Sequence, residues 1–560
     1  MHDLIIKGAR VADGSGSPLV TADVAVAGGK VAAIGRIAEP AARTVDGDGL
    51  VLAPGIVDVH THYDAQLTWD PTASPSTALG VTTVVMGNCG FSIAPCPPAA
   101  RDLVARNLSE VEGMSLASLR TGIDWRFERF GEYLDLVQSK HPHLNVAAFV
   151  GHSTVRSAVM GEDASRRAAT ADEIAAMRGL VAESLAAGAV GFASSHSENH
   201  NGYGGVPMPS RLAGQDEIRT LVGVLGEAGR GVYQMTAGPN TSVAFLESLG
   251  RDTGRPIIFS SVFQNDTFPE RGPGQLRDCA AARGRGVEVY GQTSCQPLTM
   301  EFTLANAYPL SSLDVWEDLR GADGAALMAH FADPAFRTRF RATLGTPKKG
   351  KLFYGNWSRV QIATAATPEH APFEGRSIAD LAAARGVDAV DAFFDLGVAE
   401  RLETLFSAQL INADEDQLEP MLRHDQGVIA LSDAGAHLSF LCDAGFGLHL
   451  LGHWVRERKT FTIEEAVRQL TAKPAAIYRI PGRGRIAVGG PADLMLFDPA
   501  TVGPSKRPRR VHDLPGGDSR MVRDPVGMHG VWVNGTLVHD GRDYARPERG
   551  PGTVLRDFAA

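Results

Sequence analysis

A chain of 560 residues is too long for one ordinary compact domain and fits a large barrel with a smaller satellite. Its 44% hydrophobic and 21% charged residues are ordinary for a soluble globular protein, and a formal charge of −10 without a basic stripe argues against a nucleic-acid partner. Five cysteines with no C-x-x-C spacing argue against a disulfide framework. No basic-then-apolar leader follows Met1 and no apolar run approaches the roughly eighteen residues that span a bilayer, so the cytoplasm is the expected location, with no membrane partner.

In chain order, the first fifty residues read as β-structure: Leu4 to Ile6, Val24 to Val26 and Lys30 to Ile34, parted by turns at Gly14-Ser15-Gly16 and Gly28-Gly29. From about Pro54 to Arg479 short β-rich runs alternate with amphipathic helices. The runs are Val57 to His60, Thr83 to Met86, Val146 to Val150, Val190 to Ala193, Val232 to Gln234, Pro256 to Ser260, Val287 to Tyr290 and Val428 to Leu431. One helix is bracketed by a Thr170/Glu173 capping box and Gly188, and another begins at Thr462 with Glu465 as its capping partner. Ala492 to Phe497 then reads as a strand, and Gly530 to Val538 as a hairpin across Asn534-Gly535. The expected fold is an α/β (β/α)8 TIM barrel over 54–479, with a small β-sandwich domain formed by both chain ends, 1–53 and 480–545, and a C-terminal tail over 546–560.

Every chemically telling residue falls at the C-terminal end of such a run, where barrel active sites lie. In Pro54-Gly55-Ile56-Val57-Asp58-Val59-His60-Thr61-His62, alternation along the strand turns His60 and His62 the same way. Two converging imidazoles are poor core material and good ligands for a divalent metal. In Leu431-Ser432-Asp433-Ala434-Gly435-Ala436-His437, Asp433 reads by itself as a helix N-cap. Beside His60 and His62 the metal reading prevails, because a barrel closes its eighth strand against its first. In Gly87-Asn88-Cys89-Gly90, Cys89 reads equally as a small buried residue or as a thiolate beside a metal.

With these motifs the chain resembles the N-acyl-D-amino-acid deacylase (D-aminoacylase) branch of the amidohydrolase superfamily. The likeness spans nearly the whole length and includes Gly151-His152-Ser153-Thr154-Val155-Arg156, Val159-Met160-Gly161 and Ser432-Asp433-Ala434-Gly435. It implies zinc, hydrolysis of an amide bond to an N-acyl amino acid, and a ligand role for Cys89. It also implies histidines after the fifth and sixth strands and a lysine for the substrate carboxylate. Here those segments read Val232-Tyr233-Gln234-Met235-Thr236 and Ile257-Ile258-Phe259-Ser260-Ser261-Val262, with Phe263 near the lysine's place.

One zinc ion is therefore expected, held by His60, His62 and Asp433 with Cys89 close by. A second is possible if His152, His196 or His200 swings in. His196, in Ser194-Ser195-His196-Ser197-Glu198-Asn199-His200, is the nearest substitute ligand or acid/base. His152, Arg156 and Tyr203 are candidates for substrate contact, each with a plain structural reading as well. In the expected reaction the ion lowers the pKa of its water from about 15.7 towards 7, Asp433 takes the proton, and hydroxide attacks the amide carbonyl. The substrate is a small-molecule N-acyl amino acid or related amide. The alternatives are attack on a cyclic amide or other C–N bond, and a non-catalytic, metal-poor paralogue serving as a binding or scaffold protein.

Overall fold

The computed structural model describes residues 1–558 except Asn240, Arg320, Pro347, Lys349, Gly350 and 437–442. His437 lies outside the described residues. Five strands open the chain: β1 (His2–Val11), β2 (Val20–Ala27), β3 (Lys30–Gly35), β4 (Ala41–Asp46) and β5 (Val51–Pro54). β1 pairs antiparallel with β2 and parallel with β4 and β5. The Gly28-Gly29 turn joins β2 to β3 with Ala27 opposite Lys30.

Next come seven parallel strands: β6 (Ile56–Asp58), β7 (Val81–Met86), β8 (Asn145–Gly151), β9 (Gly191–Ser195), β10 (Val232–Thr236), β11 (Ile257–Ser260) and β12 (Val289–Thr293). After β13 (Leu298–Phe302), β14 (Val360–Thr364) and β15 (Leu405–Ile411), the eighth parallel strand is β16 (Gly427–Ile429). The parallel sheet runs β16-β12-β11-β10-β9-β8-β7-β6, and its ends meet where Thr61 bridges Ala434 and the His62 N–H donates to the Ala434 carbonyl at 2.7 Å. This curled sheet has the form of a TIM-like barrel. Its strands are buried on both faces, β7 and β8 at every residue, which explains near-continuous apolar runs in place of alternation. Val57, Val85, Phe149, Val232, Ile258 and Val428 share its core.

The eighth strand ends earlier than its apolar run suggests. Leu431 and Asp433 take left-handed backbone, with φ of 65° and 45°, so the chain leaves β geometry before the acid. The two capping boxes form as expected. Thr170 caps the helix Ala171–Ala187, which stops at Gly188 (φ 111°), and Thr462 caps the helix Ile463–Leu470.

The chain closes with β17 (Leu494–Phe497), short ribbons of β18 (Gly503–Pro504) with β21 (Pro525–Val526) and β19 (Arg509–Val511) with β20 (Arg520–Val522), then β22 (Met528–Val533) and β23 (Thr536–His539). Asn534 and Gly535 both have positive φ, as a tight hairpin turn requires. Strands from both chain ends share one sheet, in the order β23-β22-β17-β5-β1-β2-β3, with β4 on β1. Residues 553–555 lie along β8: Val146 donates to the Thr553 carbonyl and accepts from the Leu555 N–H.

A second compact unit is made of Phe263–Gly272, which follows β11, and Gln296–Leu418, which lies between β12 and β16 in sequence. The sequence reading had run it into the barrel. It has its own antiparallel sheet, β13-β15-β14, and its own aromatic core around Phe331, Phe336, Phe340, Phe393, Phe394 and Phe406. Among the described residues no helix is long and apolar enough to cross a membrane.

Candidate metal centre

His60, His62 and Cys89 offer ligand atoms that all lie within 4.8 Å of one another, and all three side chains are buried. Asp433 joins them: its Oδ1 is 3.3 Å from His60 Nε2 and 3.7 Å from His62 Nε2. Cys89 Sγ is 3.4 Å from His60 Nε2. Two donors at ordinary zinc distances on tetrahedral corners stand roughly 3.4 Å apart, so this nitrogen, oxygen and sulfur set fits one divalent ion.

The local backbone explains the convergence. His60 and His62 follow β6, and Asp433 follows β16 at the point where the barrel closes on β6. Gly435 (φ 94°) passes so close to His62 that a Cβ there would sit 2.6 Å from its carbonyl carbon. Cys89 is left-handed (φ 57°) just past β7, and a Cβ on the adjacent Gly90 would meet the Ala193 carbonyl at 2.8 Å. Ser432 donates to the His60 carbonyl at 3.0 Å and accepts from the Ala434 N–H, tying the two strand ends together.

Both imidazoles have a partner on the ring nitrogen facing away from the centre. His60 Nδ1 lies 2.7 Å from Gln292 Oε1, and Gln292 also donates to the Tyr478 hydroxyl at 2.8 Å. His62 Nδ1 lies 3.0 Å from Glu112 Oε1. The sequence reading missed Gln292 and Glu112. A polar residue ending the apolar run before Gln292 was a usable signal; Glu112, after a helix, gave none.

The electrostatics suit a cation. Burial opposes charge on His60 and His62, yet Cys89 and Asp433 raise the first, and Glu112, Asp433 and Cys89 raise the second well above the ordinary value. Burial would push the Cys89 thiol up, but the two imidazoles bring it below its usual range. Asp58 and Asp64, fully enclosed nearby, are each pushed up to about 7 by burial.

The opposite wall is neutral. Gln234 Oε1 accepts from the Cys89 N–H at 2.8 Å, and its Nε2 donates to Ser260 Oγ at 2.9 Å. Thr236 Oγ1 donates to Cys89 Sγ at 3.1 Å. A cavity of about 60 Å³ opens between the walls, lined also by Phe91, Val111, Glu112, His200, Ser261 and Leu431. That is room for several waters.

The other sequence candidates are not on this wall. His152 Nε2 lies 2.8 Å from Glu217, and Arg156 reaches both Glu217 oxygens at 2.6 Å, so the anion-binding reading of Arg156 gives way to a buried ion pair. His196 is buried away from the cavity, and burial with His152 nearby brings it down to about 4. Tyr203 is half exposed with Arg106 over its ring. His200, which had ranked lower, does line the cavity; Ser195 Oγ lies 2.7 Å from its Nδ1 and Phe91 meets its ring edge-on.

The profile of the amidohydrolase family matches residues 43–256 and 354–539. The chain is 31% identical to a D-aminoacylase and 30% identical to an N-acyl-D-glutamate deacylase, both of Alcaligenes xylosoxydans xylosoxydans, over 97% and 100% of its length and 98% and 97% of theirs. Among solved structures it is similar to the N-acyl-D-glutamate deacylase of Bordetella bronchiseptica, complexed with zinc and a phosphonate mimic of the tetrahedral intermediate. That likeness has a TM-score of 0.68 and 28% identity, and covers 99% of this chain and all of that one. It is also similar to a D-aminoacylase whose binuclear centre is described as activated by one metal and attenuated by a second (TM-score 0.66, 27% identity, all of both chains). The chain belongs to the amidohydrolase family, in its N-acyl-D-amino-acid deacylase branch.

Proposed function

We propose that this protein is a zinc-dependent hydrolase that cleaves the amide bond of an N-acyl-D-amino acid or a related small amide, with a single ion at His60, His62 and Asp433. The observation that carries the reading is the donor spacing: 3.3, 3.4 and 3.7 Å among His60, His62, Cys89 and Asp433. When bound, the ion acidifies water and polarises the amide carbonyl. His60 and His62 hold it through Nε2, their Nδ1 atoms turned to Gln292 and Glu112. Asp433, part-exposed on the cavity, would accept a proton from the attacking water and deliver it to the leaving nitrogen. Cys89 borders the ion as a thiolate, steadied by the Thr236 hydroxyl. The neutral Gln234, Thr236 and Ser260 wall is a poor host for a second ion, since hydroxyl and amide groups bind zinc far more weakly than imidazole.

The shared terminal sheet supports a β-sandwich domain of 1–53 and 480–545 beside a 54–479 barrel, and the composition supports a cytoplasmic setting. The test of function is hydrolysis of a panel of N-acetyl-D-amino acids and N-acetyl amides by protein reconstituted with one equivalent of zinc. Release of acetate that stops on chelation and returns with zinc is expected; no release from any member rejects the reading.

A further inference from the structure

Glu112 is a buried acid in an awkward place. It caps the C-terminal end of the helix Arg101–Val111, where the helix dipole is negative and an extra carboxylate is unfavourable. Only 4% of it is exposed, so it also loses most of its hydration. Its Oε1 lies 3.0 Å from His62 Nδ1, and neither atom has a hydrogen bond elsewhere. His62 is also stacked at 6.4 Å on Phe91, which limits the ring to turns about this orientation.

The two imidazoles thus differ. His60 is backed by a neutral amide oxygen and His62 by a carboxylate, although they follow one strand and face one centre. A carboxylate behind a ligating imidazole fixes the Nδ1–H tautomer, leaves Nε2 free for the ion and makes it the more basic donor. We propose that Glu112 is a positioning residue that orients and strengthens His62 as a metal ligand, forming a carboxylate–histidine–metal chain. The proposal rests on the metal reading above. It gives the awkward acid a reason: placed behind His62, its charge favours a cation on that side of the ring.

The experiment measures the zinc dissociation constant by chelator competition, and the visible spectrum of the cobalt-loaded protein, for wild type, Glu112→Gln, Glu112→Ala and Glu112→Asp. The same substitutions are repeated on His62→Ala. Glu112→Ala should weaken zinc binding about 10- to 100-fold, Glu112→Gln less, and Glu112→Asp least, with a shifted cobalt spectrum and an unchanged circular dichroism spectrum. On His62→Ala the Glu112 substitutions should have no further effect, which a merely structural role does not predict. Wild-type affinity and spectrum in Glu112→Ala, in a protein that binds zinc through His62, would overturn the positioning role alone. A wild-type chain whose zinc content is indifferent to His62→Ala would overturn the metal reading and this proposal together.

Discussion

Two clusters of histidine and carboxylate stand at the ends of the barrel strands, and they are built on opposite principles. After β6 and β16, His60, His62 and Asp433 turn their donor atoms towards one another and onto a cavity. Behind β8 and β9, His152, Arg156 and Glu217 pair with one another: Glu217 takes two bonds from Arg156 and one from His152, whose other nitrogen meets Ser194 at 2.8 Å. A buried cluster whose members pair with one another stabilises the fold, whereas one whose donor atoms converge on a cavity is suited to hold a cation. Residue type alone does not separate the two; the pairing does.

The sharpest way to break this comparison is at Asp433. Asp433→Asn keeps a ligand oxygen but cannot accept a proton, so kcat on the best N-acyl substrate should fall about 10²- to 10⁴-fold, the usual worth of a general base. Equal turnover by the variant would remove Asp433 from the chemistry. Next in size, His60→Ala or His62→Ala should weaken zinc binding so that the purified protein holds well under one equivalent by elemental analysis, with binding still measurable when excess metal is added. Cys89→Ala should lower activity more than metal content. Gln234→His with Ser261→His should raise zinc towards two equivalents, because only donors are missing from that wall; two tightly held ions in the unaltered protein would mean that the neutral wall has been misjudged.

The second cluster should answer in stability. Arg156→Met leaves Glu217 buried with its strongest partner gone, at a cost of about 3–5 kcal/mol in urea unfolding, while kcat of the folded fraction stays close to wild type. A large loss of kcat with unchanged stability would move Arg156 back towards the substrate.

Much of this was legible in the residues. The eight runs locate the barrel strands because parallel strands buried on both faces must be continuously apolar, and Thr170, Glu173 and Gly188 mark a helix by local hydrogen bonding alone. His60, His62, Cys89 and Asp433 stand out as polar groups ending apolar runs. Gln292 ends an apolar run as they do and could have been picked out likewise, but Glu112 follows a helix and is defined only by its partner His62, 50 residues away in sequence. The inserted unit was hidden too, because Gln296–Leu418 alternates helices and strands much as the barrel does, and only its antiparallel pairing sets it apart. Arg156 and His152 carried two readings in the sequence, substrate contact and structural pairing, and the counter-ion that distinguishes them, Glu217 on the helix Gln215–Ala228, comes into view only in the fold.

The smallest effect expected is also the most specific to that counter-ion. Burial alone would raise the Glu217 carboxyl, but hydrogen bonding from His152 and the charges of His152 and Arg156 overcome it and hold the group at about 2, below its ordinary 4.5. His152 and His196 are the other titratable groups nearby; burial keeps both below the ordinary imidazole value, His196 at about 4. A group whose folded pKa is depressed contributes stability that is present above its unfolded value and lost as pH falls through the folded one. Glu217 should therefore stabilise the protein fully above pH 4.5 and lose that contribution, about 3 kcal/mol at most, as pH falls towards 2. The measurement is the gap in unfolding free energy between wild type and Glu217→Gln across this range. Glutamine is uncharged at every pH, so the gap should be widest near neutrality and should shrink as the wild-type carboxylate takes up its proton. A gap that stays constant down to pH 2 would mean that Glu217 acts through shape and not charge, and the cluster behind β8 would lose its standing as a self-neutralised counterpart to the metal centre.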